Sequence, residues 1–502
     1  MEITRGADVA MSNELKITRR RLLGTMAAAM AGLAAADRPL FAQSASGAAP
    51  AGGLPARGEF VIRNATILTM DAKLGEIRGG DIHVRDGAIV AVGRNLPAPG
   101  AEAINAATMI ALPGFIETHW HMWGAVARNM AGSTEGTGYY YISRLLGQFF
   151  NEEDNARGVR LALAEGISSG ITTVNNWSHN LLGPEYADAE IKVHREIGGR
   201  ARFSYGYSRK TPLDATLPLD DIARVQKQWF GQGKDSLITL GIASRGPENN
   251  AIEICSKEWS FARANGIPIT SHMGTSAERV KQRQGIQMLA KAGLLGPDVL
   301  LVHATNHSAE DLKLLAETKT PVSLSPYTEL RTGFGITPTG AFLRAGVPVS
   351  LSVDTTILCG NADMFAIMKA IQNIENGREK NEFGISAERV LEMATIDGAR
   401  ALGIADSVGS LTPGKRADII LVRTTDVNMM PFTVPANMIV QAAQPSNIDA
   451  VIVDGRFLKR DGKLTSIDVT RLARDAADTI ERARKEASKP GAGESVKDLL
   501  SR

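Results

Sequence analysis

Cysteine is nearly absent from this chain. Its two cysteines, Cys255 and Cys359, are far apart, which excludes a disulfide framework and a thiolate metal site and leaves two free thiols. Cys359 falls close to a candidate metal-ligand strand, where inert packing is expected ahead of lining a pocket. A dominant charge is missing too: 56 Lys and Arg stand against 54 Asp and Glu, so no net field favours nucleic acid or an anionic membrane. Aromatics make up 5% of the chain, too few for a base-stacking platform. The expected partner is a small molecule, with a homo-oligomer left open.

Long apolar runs are also lacking. The longest, rich in Ala, Met and Leu, ends near Ala36 and falls short of the roughly 20 residues that span a bilayer. It follows Thr18-Arg-Arg-Arg-Leu-Leu-Gly and precedes small residues around Phe41. That order, basic then apolar then cleavable, predicts an export signal over residues 1–43, with the paired arginines pointing to the twin-arginine route and a periplasmic or secreted protein. Residues 44–57 read as a flexible leader, and no stable membrane insertion is expected after cleavage.

What is present is strand-and-helix alternation. Short β-rich runs fill residues 58–110, with a hairpin signal at Asp86-Gly87, and similar runs return over 410–465. Neither set alone has enough strands to bury a face, so together they predict a small β-sandwich built from both chain ends. Over residues 111–409, eight apolar runs alternate with helical stretches, beginning at Met109-Ile-Ala-Leu-Pro-Gly-Phe-Ile and ending at Val347-Pro-Val-Ser-Leu-Ser-Val-Asp. This is the pattern of a (β/α)8 TIM barrel, in which chemistry gathers at the C-terminal strand ends. Residues 466–502 read as an exposed helix and a frayed tail.

The polar residues can be set against that rule. His119 and His121 end the first run as His-Trp-His, and residues two apart on a strand face the same way, so both can meet one ion. His272 ends the fifth run, His303 the sixth and Asp354 the eighth. Polar groups at the ends of doubly buried strands need partners. Imidazoles and a carboxylate gathered at one rim can meet a divalent ion able to activate water.

Leu112-Pro-Gly-Phe-Ile-Glu-Thr-His-Trp-His resembles the first-strand signature of the amidohydrolase superfamily. Met393-Ala-Thr-Ile-Asp-Gly-Ala-Arg-Ala-Leu-Gly and Thr412-Pro-Gly-Lys-Arg-Ala-Asp-Ile-Ile-Leu-Val are similar to later segments of its branch of cytosine, S-adenosylhomocysteine and triazine deaminases and hydrolases. The resemblance implies that His119, His121, His272 and Asp354 bind metal, that Asp354 handles the proton of its water, and that His303 polarises the substrate. The fourth run lacks the lysine that bridges two metals in binuclear relatives, so one ion is expected, Zn2+ first and Fe2+ second.

One departure separates the chain from ring deaminases of that branch. They carry His-x-x-Glu after the fifth strand, where this chain has His272-Met-Gly-Thr275. Hydrolysis of an amide, carbamate, urea or similar C–N bond is therefore expected ahead of deamination or dehalogenation of a heterocycle, with a catalytically silent scaffold as the remaining alternative. Candidate substrate-binding residues are His179, Trp123 and Arg245, with Trp120 and Trp177 also placed at the rim. For Arg245 a structural ion pair with Glu248 is expected ahead of substrate contact, and His83, His194 and His307 read as structural.

Overall fold

Eight short strands pair in parallel in the order in which they occur along the chain: β6 (Phe115–Trp120), β7 (Ile171–Ser178), β8 (Arg200–Gly206), β9 (Ile238–Ser244), β10 (Ile269–Met273), β11 (Val299–His303), β12 (Val322–Leu324) and β13 (Val349–Leu351). The structure, a computed structural model, describes residues 54–489 apart from 135, 209, 231–236 and 488. The predicted export signal, most of the leader and the end of the tail lie outside the described residues. Helices link successive strands and cover the barrel, so runs such as Val299-Leu-Leu-Val-His are buried throughout, as parallel strands covered on both faces require.

The barrel closes where its chemistry gathers. Trp120 bridges to Asp354; His121 donates its backbone N–H to the Asp354 carbonyl at 2.6 Å, and Asp354 donates its own to His119 at 2.9 Å. First and last strands thus meet through the candidate ligands themselves.

The sequence run from Met109 splits in two. Met109–Pro113 forms β5 of the second sheet, and the barrel begins only after Gly114. Pro113 has no N–H to continue a ladder, and a Cβ at Gly114 would lie 2.1 Å from the Thr172 side chain, so the chain can change sheets only through glycine.

The second sheet has nine strands: β1 (Phe60–Leu68), β2 (Glu76–Arg85), β3 (Ala88–Gly93), β4 (Glu102–Asn105), β5, β14 (Ile419–Arg423), β15 (Ile448–Val453), β16 (Arg456–Arg460) and β17 (Lys463–Leu464). The expected sandwich is one mixed sheet, because β5 pairs with both β1 and β14 and joins the two chain ends edge to edge. Residues of both ends, including Phe60, Ile82, Leu421 and Ile452, share one core. The β2–β3 turn has left-handed backbone at Asp86 and Gly87 (φ 51° and 78°), the hairpin geometry that Asp-Gly favours.

The helix Val469–Ala487 is not simply exposed as its composition suggested. Ala476, Ile480 and Ala483 repeat at helical spacing and pack into a core with Phe150 and Leu161, while Arg482 pairs with the buried Asp154. The stripe is short and Ala-rich, so the many charges around it concealed it.

Candidate metal centre

His119 lies in β6 and His121 directly after it, His272 in β10, His303 at the end of β11, and Asp354 just beyond β13. All are buried except His272, which is half-buried. Ligand atoms of His119, His272, His303 and Asp354 lie within 4.8 Å of one another. His121 joins them through Asp354, its Nε2 being 3.3 Å from Oδ1. The same Oδ1 is 3.1 Å from His119 Nε2, which is 3.2 Å from His272 Nε2.

Those spacings fit one ion. Nitrogen and oxygen atoms each about 2.1 Å from a tetrahedral metal sit roughly 3.4 Å apart. The titration behaviour agrees with that use. Burial pushes the His119, His121 and His272 imidazoles below their ordinary range, His121 and His272 well below it with neighbouring histidines adding to the effect. Burial alone would raise the Asp354 carboxyl, but its hydrogen bond to His119 and the surrounding imidazoles hold it well below the usual carboxylate range. Neutral imidazoles facing an ionised carboxylate are the protonation states a divalent cation needs.

Neighbouring groups orient these rings. His121 Nδ1–H donates to the Trp177 carbonyl at 3.3 Å, which frees Nε2 for the cluster. His303 Nδ1–H donates to Glu329 at 3.2 Å, and the buried Glu329 also accepts from the Ser325 N–H and the Thr337 hydroxyl. His303 and Asp354 both have left-handed backbones, φ 72° and 65°, a conformation that costs energy in non-glycine residues and concentrates at functional sites.

A cavity of about 600 Å³ opens above the cluster, bordered by His121, His272, His303 and Asp354 and by Trp177, Thr275 and Phe334. His179 and Arg245 also border it. Trp123 does not. It is buried in the core over the first connection and reaches the cavity only by donating Nε1–H to His179 Nδ1 at 3.2 Å. Trp120 is turned away as well: it lies between His119 and His121, so strand alternation aims it at the opposite face, and the indole packs on the helix Glu152–Ser168 near Gly166.

Arg245 makes no pair with Glu248. It stacks over Tyr207 at 3.9 Å and donates to the carbonyls of Thr211 and Pro212, whereas Glu248 accepts the Gly274 N–H. Cys359 stands behind the lining, its thiol directed to the Asn361 carbonyl. His83 bonds Glu59, His194 bonds Asn176, and His307 bonds the Ala304 carbonyl, all apart from the cluster.

Two acids escaped the sequence reading. Glu117 is fully buried and accepts the N–H groups of His119 and Val353, and burial raises its carboxyl to about 8. Glu329 lies in the helix Pro326–Arg331 after β12. Its signal was a carboxylate in the first turn of a short helix beside a strand end, which reads equally well as a helix-dipole partner.

The architecture and the cluster define a class, a barrel hydrolase built around a divalent metal. A match to the Amidohydrolase family spans residues 110–458, and the chain belongs to that family. It is 29% identical over 433 residues to a 5'-deoxyadenosine deaminase of Methanosarcina mazei, covering 84% of this chain and 98% of that one. It is 30% identical over 428 residues to a 5-methylthioadenosine/S-adenosylhomocysteine deaminase of Desulforamulus reducens, covering 82% and 96%. Among solved structures, a zinc-bound adenosine deaminase from Xanthomonas campestris superposes with a TM-score of 0.77 at 21% identity, covering 86% of this chain and all of that one. An atrazine chlorohydrolase from Arthrobacter aurescens complexed with zinc gives 0.77 at 22%, covering 84% and 99%. The protein is a metal-dependent hydrolase acting on carbon–nitrogen bonds.

Proposed function

We propose that this enzyme hydrolyses the C–N bond of a carbonyl substrate, an amide, carbamate or urea, using one divalent metal, zinc before iron, held by His119, His121, His272 and Asp354. The observation that supports this choice of bond is the acid content of the cavity: among the described residues, Asp354 is the only carboxylate bordering it. Deaminating a ring calls for a second acid to protonate a ring nitrogen. Thr275 borders the cavity but cannot titrate, and Glu278 is exposed and accepts from Gln282.

A carbonyl substrate needs one proton relay. A metal bound by these ligands lowers the pKa of water toward neutrality and polarises a carbonyl oxygen. Asp354 takes the proton of the attacking water and returns it to the leaving nitrogen. His303, with Nδ1–H fixed on Glu329, presents Nε2 to the substrate and in its protonated form donates to the oxygen on which charge develops. Trp177, 4.1 Å from the His272 ring between centroids, covers the ligands and excludes bulk water.

The second reading, deamination of an aminopurine nucleoside, is favoured by the names of the relatives above. Assaying metal-replete protein against amides, carbamates, ureas and aminopurine nucleosides separates the two. Turnover of the carbonyl compounds, with no gain on Thr275→Glu, is expected. Preferred turnover of nucleosides, or a large gain for them in that variant, overturns the first reading. Export by the twin-arginine route is proposed from the sequence of residues 1–43 alone; replacing Arg19 and Arg20 by Lys should hold the uncleaved protein in the cytoplasm, and unchanged export refutes it.

A further inference from the structure

The mouth of the cavity carries charge that C–N cleavage itself does not require. Arg144, Arg245 and Arg279 all border it. They come from separate connections: Arg144 from the helix Tyr139–Gly147 after β6, Arg245 from the turn after β9, and Arg279 from the helix Ala277–Arg283 after β10. Their side-chain acceptors are neutral. Arg245 donates to the carbonyls of Pro212 and Thr211 at 2.9 and 2.8 Å, and Arg279 donates to Asn249 Oδ1 at 2.9 Å. Arg144 is exposed on the last turn of its helix.

Neutral acceptors fix a guanidinium in place without cancelling its charge. The acid nearest Arg245, Glu258, is buried behind Tyr207 and already accepts from Tyr207, Ser244 and the Leu217 N–H. Glu248, the acid that faces Arg279, is buried and accepts the Gly274 N–H, and Asp354, the only acid bordering the cavity among the described residues, lies within the metal cluster. Guanidinium groups bordering one cavity favour an anion within it, and the planar guanidinium fork matches an oxyanion in two-point contact. A cavity of about 600 Å³ has room for a small substrate with reacting and anchoring ends, since such sites run from roughly 300 to 1,000 Å³.

We propose that the substrate carries an anionic oxygen group, a carboxylate or a phosphate, held by Arg144 and Arg279 against the wall completed by Arg245, with its scissile bond over His272 and Asp354. The proposal rests on the hydrolytic reading above for the second half of that placement. It turns the arginines from general rim charge into the determinants of specificity.

The test uses N-benzoyl-4-aminobutanoate, its neutral carboxamide and N-benzoylethanolamine phosphate on metal-replete wild type and on Arg144→Gln/Arg279→Gln, with KM from turnover and Kd from calorimetry at low salt. At least one anionic member should bind tenfold or more better than the carboxamide, and the double variant should bring that ratio close to one, as should salt at about 0.5 M. Preference for the carboxylate or for the phosphate identifies the group. Equal binding of all three overturns the proposal even if they are hydrolysed. A preference that persists in the double variant also overturns it, because the metal rather than the arginines would then hold the anion. Binding preference without turnover upholds the arginine site and removes the hydrolytic reading for these bonds. If the double variant loses its metal or fails to fold, the single Arg144→Gln, altered only at an exposed side chain, must still reduce the ratio.

Discussion

Two buried aspartates, each surrounded by three nitrogen bases, make a useful comparison. Asp454, in the small sheet, is 2% exposed and pairs with Arg57, Arg416 and Arg456. Asp354, at the rim of the barrel, is 3% exposed and faces His119, His121 and, through His119, His272. Both have left-handed backbones, φ 53° and 65°. Both are held below the ordinary carboxylate range.

The difference lies in the partners. Arginine stays charged at every accessible pH, so Asp454 is compensated by the chain itself and the cluster is a finished structural clamp. Burial keeps the imidazoles around Asp354 neutral, which leaves a buried negative charge without a permanent cation and lone pairs converging on it. Such an arrangement is completed by a mobile dication. Compensation from within marks structure, and compensation left open marks a site.

The largest expected effects come from the open cluster. His272→Ala should lose metal and reduce activity by more than about a thousandfold, because water is then no longer activated. His303→Asn should keep its metal and lose roughly two to four orders of magnitude, the scale of a positioned acid or electrophilic group. Metal analysis beside kcat separates them, and metal loss from His303→Asn would move that residue into the ligand set.

The closed cluster should answer in stability instead. Asp454→Asn leaves three guanidinium groups facing one another and should cost about 2–4 kcal/mol, below the range for a fully buried pair because the arginines are partly solvated. Asp454 has a folded pKa below its unfolded value, so its contribution is complete above the unfolded pKa, about 3.9, and disappears as pH falls through the folded value. Wild type and Asp454→Asn should therefore differ in denaturant midpoint at pH 7 and converge as pH falls below the unfolded value and on through the depressed folded one. A constant difference across that range would show that the clamp works through packing.

Sequence and structure agree best where period and chemistry coincide. His-Trp-His at a strand end, followed by His272, His303 and Asp354 at the ends of later apolar runs, was legible because each residue interrupts a run that should be buried. Trp120 was misplaced although alternation sets it opposite His119 and His121, and Trp123 because the short helix Met122–Ala127 after β6, which turns it into the core, is not marked in the sequence. The docking face of the helix Val469–Ala487 was hidden by its charges. Glu117 and Glu329 were missed because their roles depend on backbone and ring partners far away in the chain, Glu117 meeting Val353 and Glu329 meeting His303. Of the three arginines only Arg245 was named from the sequence, since Arg144, Arg245 and Arg279 come to border one cavity only when three connections meet.

The most direct measurement is metal content per chain by elemental analysis of wild type, Asp354→Asn and Asp454→Asn, each purified from metal-replete growth. One equivalent in wild type, none or a small fraction in Asp354→Asn, and one in a folded Asp454→Asn is the predicted result. Two equivalents in wild type, or a full equivalent retained by Asp354→Asn, would contradict the assignment of a single hydrolytic metal to the Asp354 cluster.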